Sequence, residues 1–500
     1  MENKRYHYNE ATGQLIIKDG VTEINAKEFK DWDNLEHVVL SDSVTKIGES
    51  AFDGCKRLRE IYLPDSVTAI SRDAFRDCRS LEEIRWSEGL TSIGEYAFTY
   101  CKSLEGVYLP DSVTEIGRSA FWSCYNLEEV YLPDSVTKID GVFSECINLK
   151  EVHLPEILKY IGDGTFSGCV NLKEIHLPDS VTLIGESAFA GCKNLTEINL
   201  PEGVTSIGEW TFQGCNSLEK ITLPEGVTSI GKHAFGCCHH LEEVYLPDRV
   251  TSIGEDAFFQ CGIKKITLPE GVTSIGVNAF CQCGSLTEIK LPERLTKIGR
   301  GAFNTCYNLT KVNLPNSLTE IGSWAFLACP NLKEIKIPDS ITKIGESTFY
   351  DCKSLTEIKL PDSLTEIGNF AFYGCKSLTE IKIPDSVTKI GESAFSDCTS
   401  LTEIKIPEGV TSIDYRAFDG CKSLTEIKIP DGVTSIDYRA FADCVNLKEI
   451  KIPEGLTSIG DWAFFGCTGL KKIVYHKKTE QLLKKCFGDK WDELTKDIIE

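Results

Sequence analysis

A unit of about 23 residues, L-x-E-I-x-L-P-[DE]-x-V-T-x-I-G-x-x-A-F-x-x-C, recurs twenty times between Phe29 and Phe464. Successive repeat phenylalanines lie 23 residues apart, except that Phe121 to Phe143 and Phe258 to Phe280 are 22. A fixed period of this length marks a solenoid, whose coils touch only their neighbours and bury a continuous core by stacking. The 500 residues would otherwise suggest several domains. The unbroken period predicts one array over residues 24–473, with an N-terminal cap (1–23) and a helical C-terminal cap (474–500).

The unit Leu378–Cys398 shows how a coil is built. In LTEIKIP, Ile381 and Ile383 alternate with Glu380 and Lys382, the period-2 pattern of a half-buried strand. Pro384 has no N–H to donate and ends the ladder. Val387 and Ile390 point inward from a second extended segment, and Gly391 allows the next bend. Ala394, Phe395 and Cys398 fill the far side from a single helical turn. The expected fold is a β-rich solenoid, a parallel β-stack of about 20 coils with short helical turns and terminal caps. At the ends, GQLIIKDG reads as a strand covering the first coil. Leu482, Leu483, Phe487, Trp491 and Leu494 lie close to a helical stripe.

Of 22 cysteines, nineteen sit three residues after the repeat Phe, from Cys55 to Cys467, with Trp32 in that place in the first unit. Stacked coils put equivalent atoms roughly 4.8 Å apart with side chains parallel. A disulfide needs Cβ atoms about 3.8 Å apart and pointing at each other. The periodic cysteines therefore read as a ladder of buried thiols, each a small hydrophobe. This fits a reducing compartment without requiring one.

The net charge of −22 argues against nucleic acid, which needs concentrated Lys and Arg, and against anionic lipid. No apolar run approaches the ~20 residues of a membrane span. MENKRYHYNE shows no signal peptide.

The segments LPDSVTEIGRSAFWSC (109–124) and IPDSVTKIGESAFSDC (383–398) resemble the BspA-like leucine-rich repeats, the 23-residue class of bacterial and protist surface proteins. The similarity spans residues 24 to about 473. It implies a curved parallel-β solenoid, a role in adhesion or in binding a host or cellular protein, and a cell-surface or secreted location. It implies no catalysis and carries over no ligand residue, because the pattern positions are structural.

Function must then lie at the variable positions. The strand residue between the two inward apolar positions is expected to face the concave side. It reads Val39, Tyr62, Arg85, Tyr108, Tyr131, His153, His176, Asn199, Thr222, Tyr245, Thr267, Lys290 and Asn313, then Lys336, Lys359, Lys382, Lys405, Lys428 and Lys451. Two residues earlier runs a mostly acidic column that includes Glu334, Glu357, Glu380, Glu403, Glu426 and Glu449. The Lys/Glu half reads as mutual neutralisation of a flat sheet. Tyr62, Arg85, Tyr108, Tyr131, His153, His176 and Tyr245 have the chemistry of interface hot spots and form the expected partner site. Stacked aromatics also suit sugar faces, and tyrosine is in any case a good strand former.

A third column, from Asp42 to Glu454, is acidic in eighteen of nineteen units, Asn316 excepted, and reads as a solvated rim rather than a calcium site. Cys237-Cys238-His239-His240, with Cys281 and Cys283 two coils on, is the one local cluster with metal-ligand chemistry. Tetrahedral zinc needs four converging ligands, and Cys238 and Cys283 belong to the interior ladder. No metal, cofactor or catalytic residue is expected, since no Walker loop, dinucleotide fingerprint or nucleophile–His–Asp pattern stands outside the repeat. The two short units, IDGVF (139–143) and CGIKKI (261–266), should bend the stack locally. The expectation is a monomeric, non-enzymatic protein-interaction scaffold. An intracellular regulatory module in the cytoplasm and a glycan-binding solenoid are the alternatives.

Overall fold

The computed structural model describes residues 4–499. It is a parallel β-solenoid of about 21 turns with a single short helix near the C-terminus. It divides into two compact units at Arg249/Val250, and both use the same coil. In the coil Leu378–Cys398, Glu380 and Ile381 pair in parallel with Glu403 and Ile404 of the next coil. The Pro384 carbonyl then accepts the Val387 amide at 3.1 Å, turning the chain into a second wall. There Lys389 and Ile390 pair with Glu366 and Ile367 of the coil before. Pairing is in register, so Val107 lies against Val130 in the first unit and Ile335 against Ile358 in the second. The eight apolar positions of the coil are 5% exposed or less. Full burial of each large one is worth about 1.5–3 kcal/mol.

The third wall carries Ala-Phe-x-x-Cys and is tighter than an α-helical turn. The amides of Ser393, Phe395 and Asp397 donate forward to Tyr415, Ala417 and Asp419 of the next coil at 2.7–2.9 Å. Those of Ala394, Ser396 and Cys398 instead turn back three residues within the coil, at 3.2 Å. This alternation puts Ser393 (φ 52°) and Asp397 (φ 57°) in the left-handed region. The same two positions, two residues before and two after the Phe, are left-handed in all twenty coils, and thirty of these forty residues are not glycine. Gly391 has a different role from the bend expected of it. Its φ is not positive. A β-carbon there would lie 2.7 Å from the Asn369 nitrogen and 2.8 Å from the Gly368 carbonyl carbon, so glycine lets the coils close together.

The repeat phenylalanines are fully buried through the first unit and stack face to face, with centroids 5.2–5.6 Å apart in most steps. Around the short coil of Phe143 the spacing opens to 5.9 and 6.0 Å, while strand register is kept, Val130 against Val152. The ladder cysteines are free thiols. They are more than small hydrophobes. In at least eighteen of the nineteen, Sγ donates to the carbonyl of the Phe one coil back, as in Cys398 to Phe372 at 3.2 Å and Cys146 to Phe121 at 3.2 Å. Burial pushes the Cys124 and Cys192 thiols up to about 12.

At the N-terminal end a hairpin, Tyr6–Asn9 against Gln14–Ile17, joins the first wall, and Gln14 pairs with His37. Tyr6 packs edge-on against Phe29 at 5.0 Å and Tyr8 lies 4.9 Å from Trp32, closing the start of the phenylalanine column. Of residues 474–500, expected to be helix-like, those described hold one eight-residue helix, α1 (Glu480–Phe487), followed by a strand, Thr495–Ile499. That strand pairs in parallel with Lys472–His476, 23 residues earlier. Phe487 stacks on Phe464 at 5.3 Å, again 23 residues on. This segment is thus a last, degenerate coil in which a helix replaces the third wall.

Four outcomes follow from this architecture. A thiol reagent at pH 8 should modify no more than the two half-buried cysteines, Cys237 and Cys486, until denaturant frees the rest; rapid reaction of many thiols in the native protein would refute the ladder. Ala328→Gly, at φ 53°, should raise the urea midpoint, because relief of about 1–2 kcal/mol of left-handed strain outweighs the added freedom of the unfolded chain. Gly231→Ala should lower it by several times as much, since its β-carbon would sit 2.6 Å from the Gly208 carbonyl carbon. Glu366 is held below the usual carboxylate range by hydrogen bonds from Lys343 and Lys389, the coils on either side. That stabilisation is complete above the unfolded-state value and is lost as pH falls through the folded one. Glu366→Gln should flatten the acid limb of the stability curve, measured by urea unfolding between pH 6 and 3.

Candidate binding face

The outward residues of the first wall form an exposed face in each unit. In the first unit it carries all seven expected site residues. Tyr62, Tyr108, Tyr131 and Tyr245 are 38–56% exposed, high for rings held in regular strands, and Arg85, His153 and His176 are exposed as well. The parallel register stacks equivalent residues directly, Tyr62 beside Arg85 and Tyr108 beside Tyr131 beside His153. The rings exploit this. Tyr108 and Tyr131 stack at 5.3 Å and 20°, and Tyr131 and His153 at 3.9 Å and 14°.

The structure brings only part of the group together. Trp86 occupies a Leu position of the repeat and turns inward, edge-on to Phe98 at 5.4 Å. The first-wall sheet ends at Glu83–Arg85 and restarts at Gly106–Tyr108. Tyr62 and Arg85 therefore belong to one sheet, and the Tyr108–Tyr131–His153 stack to another. His176 follows on the next coil, outside the assigned strands. Tyr245 stands three coils beyond it, in a separate two-stranded pair with Lys220–Thr222.

The stack is held by neighbouring carboxylates. The Tyr108 hydroxyl donates to Glu129, which pushes its pKa up to about 12. Tyr62 donates to Glu60 at 3.0 Å and is likewise raised. His153 Nε2 lies 2.7 Å from Glu151. One contributor was not singled out in the sequence. Gly106 takes the place of the usual acid in its column, and a β-carbon there would lie 2.7 Å from the Tyr108 ring. The interruption of the acidic column beside Tyr108 was its only signal.

In the second unit the same face is a trough of about 1100 Å³ lined by Glu357, Glu380, Glu403 and Glu426 with Lys359, Lys382, Lys405 and Lys428. Charges of one sign stack on each other, Glu426 on Glu449 and Lys428 on Lys451. Neutralisation runs sideways to the rim. Lys405 reaches Asp385 at 2.9 Å and Lys428 reaches Glu408 at 2.8 Å, and both rim acids are held below their usual range by these lysines. The acidic rim thus has a partner that its solvated reading did not include.

The cysteine–histidine cluster is taken apart by the fold. Cys238 donates into the ladder to Phe212 at 3.1 Å, and Cys283 to Phe258 at 3.0 Å. His240 Nδ1 lies 2.7 Å from the Asn216 carbonyl. Among the described residues no three His, Cys, Asp or Glu side chains converge on a metal-sized site, and no helix is long and apolar enough to cross a membrane.

Comparison with known proteins agrees with the coil. The family model "BspA type Leucine rich repeat region (6 copies)" matches residues 22–142, 140–264, 251–378 and 365–492. No curated protein matches the chain. A leucine-rich repeat protein of Bacteroides ovatus is 27% identical over 99% of this chain and 98% of its own, with a TM-score of 0.45. The T. pallidum leucine-rich repeat protein is 39% identical over 33% of this chain and 86% of its own, with a TM-score of 0.30. A leucine-rich cell surface protein of Faecalibacterium prausnitzii is 24% identical over 96% of both chains, with a TM-score of 0.30. Solenoids of this kind are generally non-enzymatic, protein-binding scaffolds. By its repeat, its coil and the family model that spans it, the chain belongs to the BspA-type leucine-rich repeat family.

Proposed function

We propose that the chain captures a protein partner on the first-wall face of its N-terminal unit, in the manner of a surface adhesin. The observation that carries this reading is the stacked run Tyr108–Tyr131–His153, exposed yet ordered. Tyrosine presents a large amphipathic surface at low conformational cost, and here stacking, the Tyr108–Glu129 bond and the His153–Glu151 contact already hold the run in place. Tyr62 and Arg85 extend the face on one side, and His176 and Tyr245 on the other. No chemistry of bond-making gathers there, so the role is recognition. The same face would serve on a cell surface or in a cytoplasmic regulatory role.

Binding to cell extracts and to a glycan array, each followed by identification of what is bound, tests this. The triple change Tyr62→Ser, Tyr108→Ser, Tyr131→Ser should abolish capture of a protein partner without shifting the melting temperature by more than about 2 °C, as expected of exposed side chains. Gly106→Ala, which displaces Tyr108 alone, should weaken capture about tenfold. Undiminished capture by the folded triple variant would overturn the assignment. Binding to glycans alone would replace protein with sugar as the ligand.

A further inference from the structure

The end of the third wall differs chemically from every coil before it. In the penultimate repeat the amides of Arg439, Phe441 and Asp443 donate forward to Asp461, Ala463 and Phe465 at 2.7–3.2 Å. The corresponding donors of the last repeat are Trp462, Phe464 and Gly466. Helix α1 follows in place of another third wall and supplies no carbonyl row. The Phe464 amide lies beside the Cys486 sulfur. The amides of Trp462 and Gly466 have no acceptor among the described residues.

These amides border a pocket of about 310 Å³ between the last repeat and α1, lined by Trp462, Phe464, Phe465, Cys486, Phe487 and Lys490, with Gly466 also in its wall. Trp462 and Phe465 are each 57% exposed, and their rings form a wedge, 6.0 Å between centroids and tilted by 41°. Elsewhere cations lie over third-wall aromatics, Arg72 over Tyr96 and Arg300 over Trp324. Here Arg439 lies over Phe465 at 5.8 Å and Tyr438 tilts against Trp462 at 5.7 Å, while among the described residues no cation is seated on Trp462. The floor is the stacked pair Phe464–Phe487. Lys490 reaches in with its ammonium, donating one proton to the Cys467 carbonyl and keeping two. Residues 471–500 carry eight lysines against six acids in a chain of net charge −22. Of the nearest acids, Asp443 is already paired with Arg439 at 2.7 Å, and Asp461 is near enough to raise the Cys486 thiol.

We propose that this pocket binds a small aromatic carboxylate. The planar body would lie in the Trp462–Phe465 wedge over Phe464 and Phe487, and the carboxylate would accept from the Lys490 ammonium and the Gly466 amide. The volume is at the lower end of the range for small-ligand sites, apolar with a few convergent polar groups. An ammonium and an open amide together select an anion over its neutral isostere.

Calorimetric titration of the full chain with phenylacetate, phenylacetamide and acetate tests the proposal. Phenylacetate should bind at one site with Kd below about 1 mM, an affinity within reach of a ligand this small. Phenylacetamide and acetate should each bind at least tenfold more weakly. Trp462→Ala and Lys490→Gln should each weaken phenylacetate at least tenfold. Phe465→Ala, which removes no cap contact, serves if Lys490→Gln fails to fold. Absence of binding at 10 mM phenylacetate, equal affinity for the amide, or undiminished binding by folded Trp462→Ala would overturn the proposal.

Discussion

In most coils three third-wall amides, at the Phe and two residues to either side, find no acceptor within the coil and are met by carbonyls of the next. Those forward bonds, Ser393 to Tyr415 and Phe395 to Ala417 among them, set the stacking distance. The distance then decides the rest. It brings the Phe rings to 5.2–5.6 Å in most steps, places each Cys sulfur within reach of the Phe carbonyl one coil back, and leaves no room for a β-carbon at Gly391. A single coil would have unmet amides and an uncovered apolar side, so stability resides in interfaces between neighbours.

The cost of this wall is backbone strain repeated in every coil. A left-handed residue other than glycine is disfavoured by about 1–2 kcal/mol. Yet the chain carries thirty of them flanking its phenylalanines. They persist because the forward bonds over-determine the geometry. Side chains that glycine would forgo also fill the next coil's space, as the Asp397 carboxylate does against Gly420. Along the second unit Asp351, Gly374, Asp397, Gly420, Asp443 and Gly466 alternate at this position, so each carboxylate lies over a glycine that makes room for it.

How much of this was legible follows from what a period encodes. The apolar positions, the two short strands and the inward cysteines are composition at fixed spacing, and the repeat displayed them directly. The left-handed residues were invisible because Ser393, Asp397 and Trp462 share no side-chain chemistry; only the hydrogen-bond pattern unites them. The thiol donor was missed for a similar reason, since a buried Cys looks the same in sequence whether or not a carbonyl lies beneath it. The degenerate last coil was hidden by its flanks. The Phe464-to-Phe487 interval of 23 was present, but EQLLKKCF reads as helix and erased the surrounding signature. On the candidate face the column of tyrosines was readable, and its register came with the repeat. Its division beside Trp86 was not, because an aromatic in a Leu position looks like an ordinary core substitution.

The fixed interior also explains where specificity can reside. Eight positions per coil are committed to the core, and the close approach is held by glycine in fifteen of twenty coils, with Asn25, Ser71, Asp140, Asp414 and Asp437 in the others. What remains is outward residues on three walls and whatever the ends expose. On the walls, register turns a single preference into a column: tyrosine and histidine stack into a continuous aromatic surface, whereas lysine or glutamate stacks into like charge that must be neutralised sideways at the rim. At the ends, the one-way sense of the third-wall bonds makes the two termini unlike. The first coil offers carbonyls and is closed by a hairpin and aromatic rings; the last offers amides. A helix closes the last coil only over Phe464. Open donors beside exposed Trp462 and Phe465 are therefore a consequence of the ladder's polarity, and an anion with an apolar body is the chemistry that satisfies both.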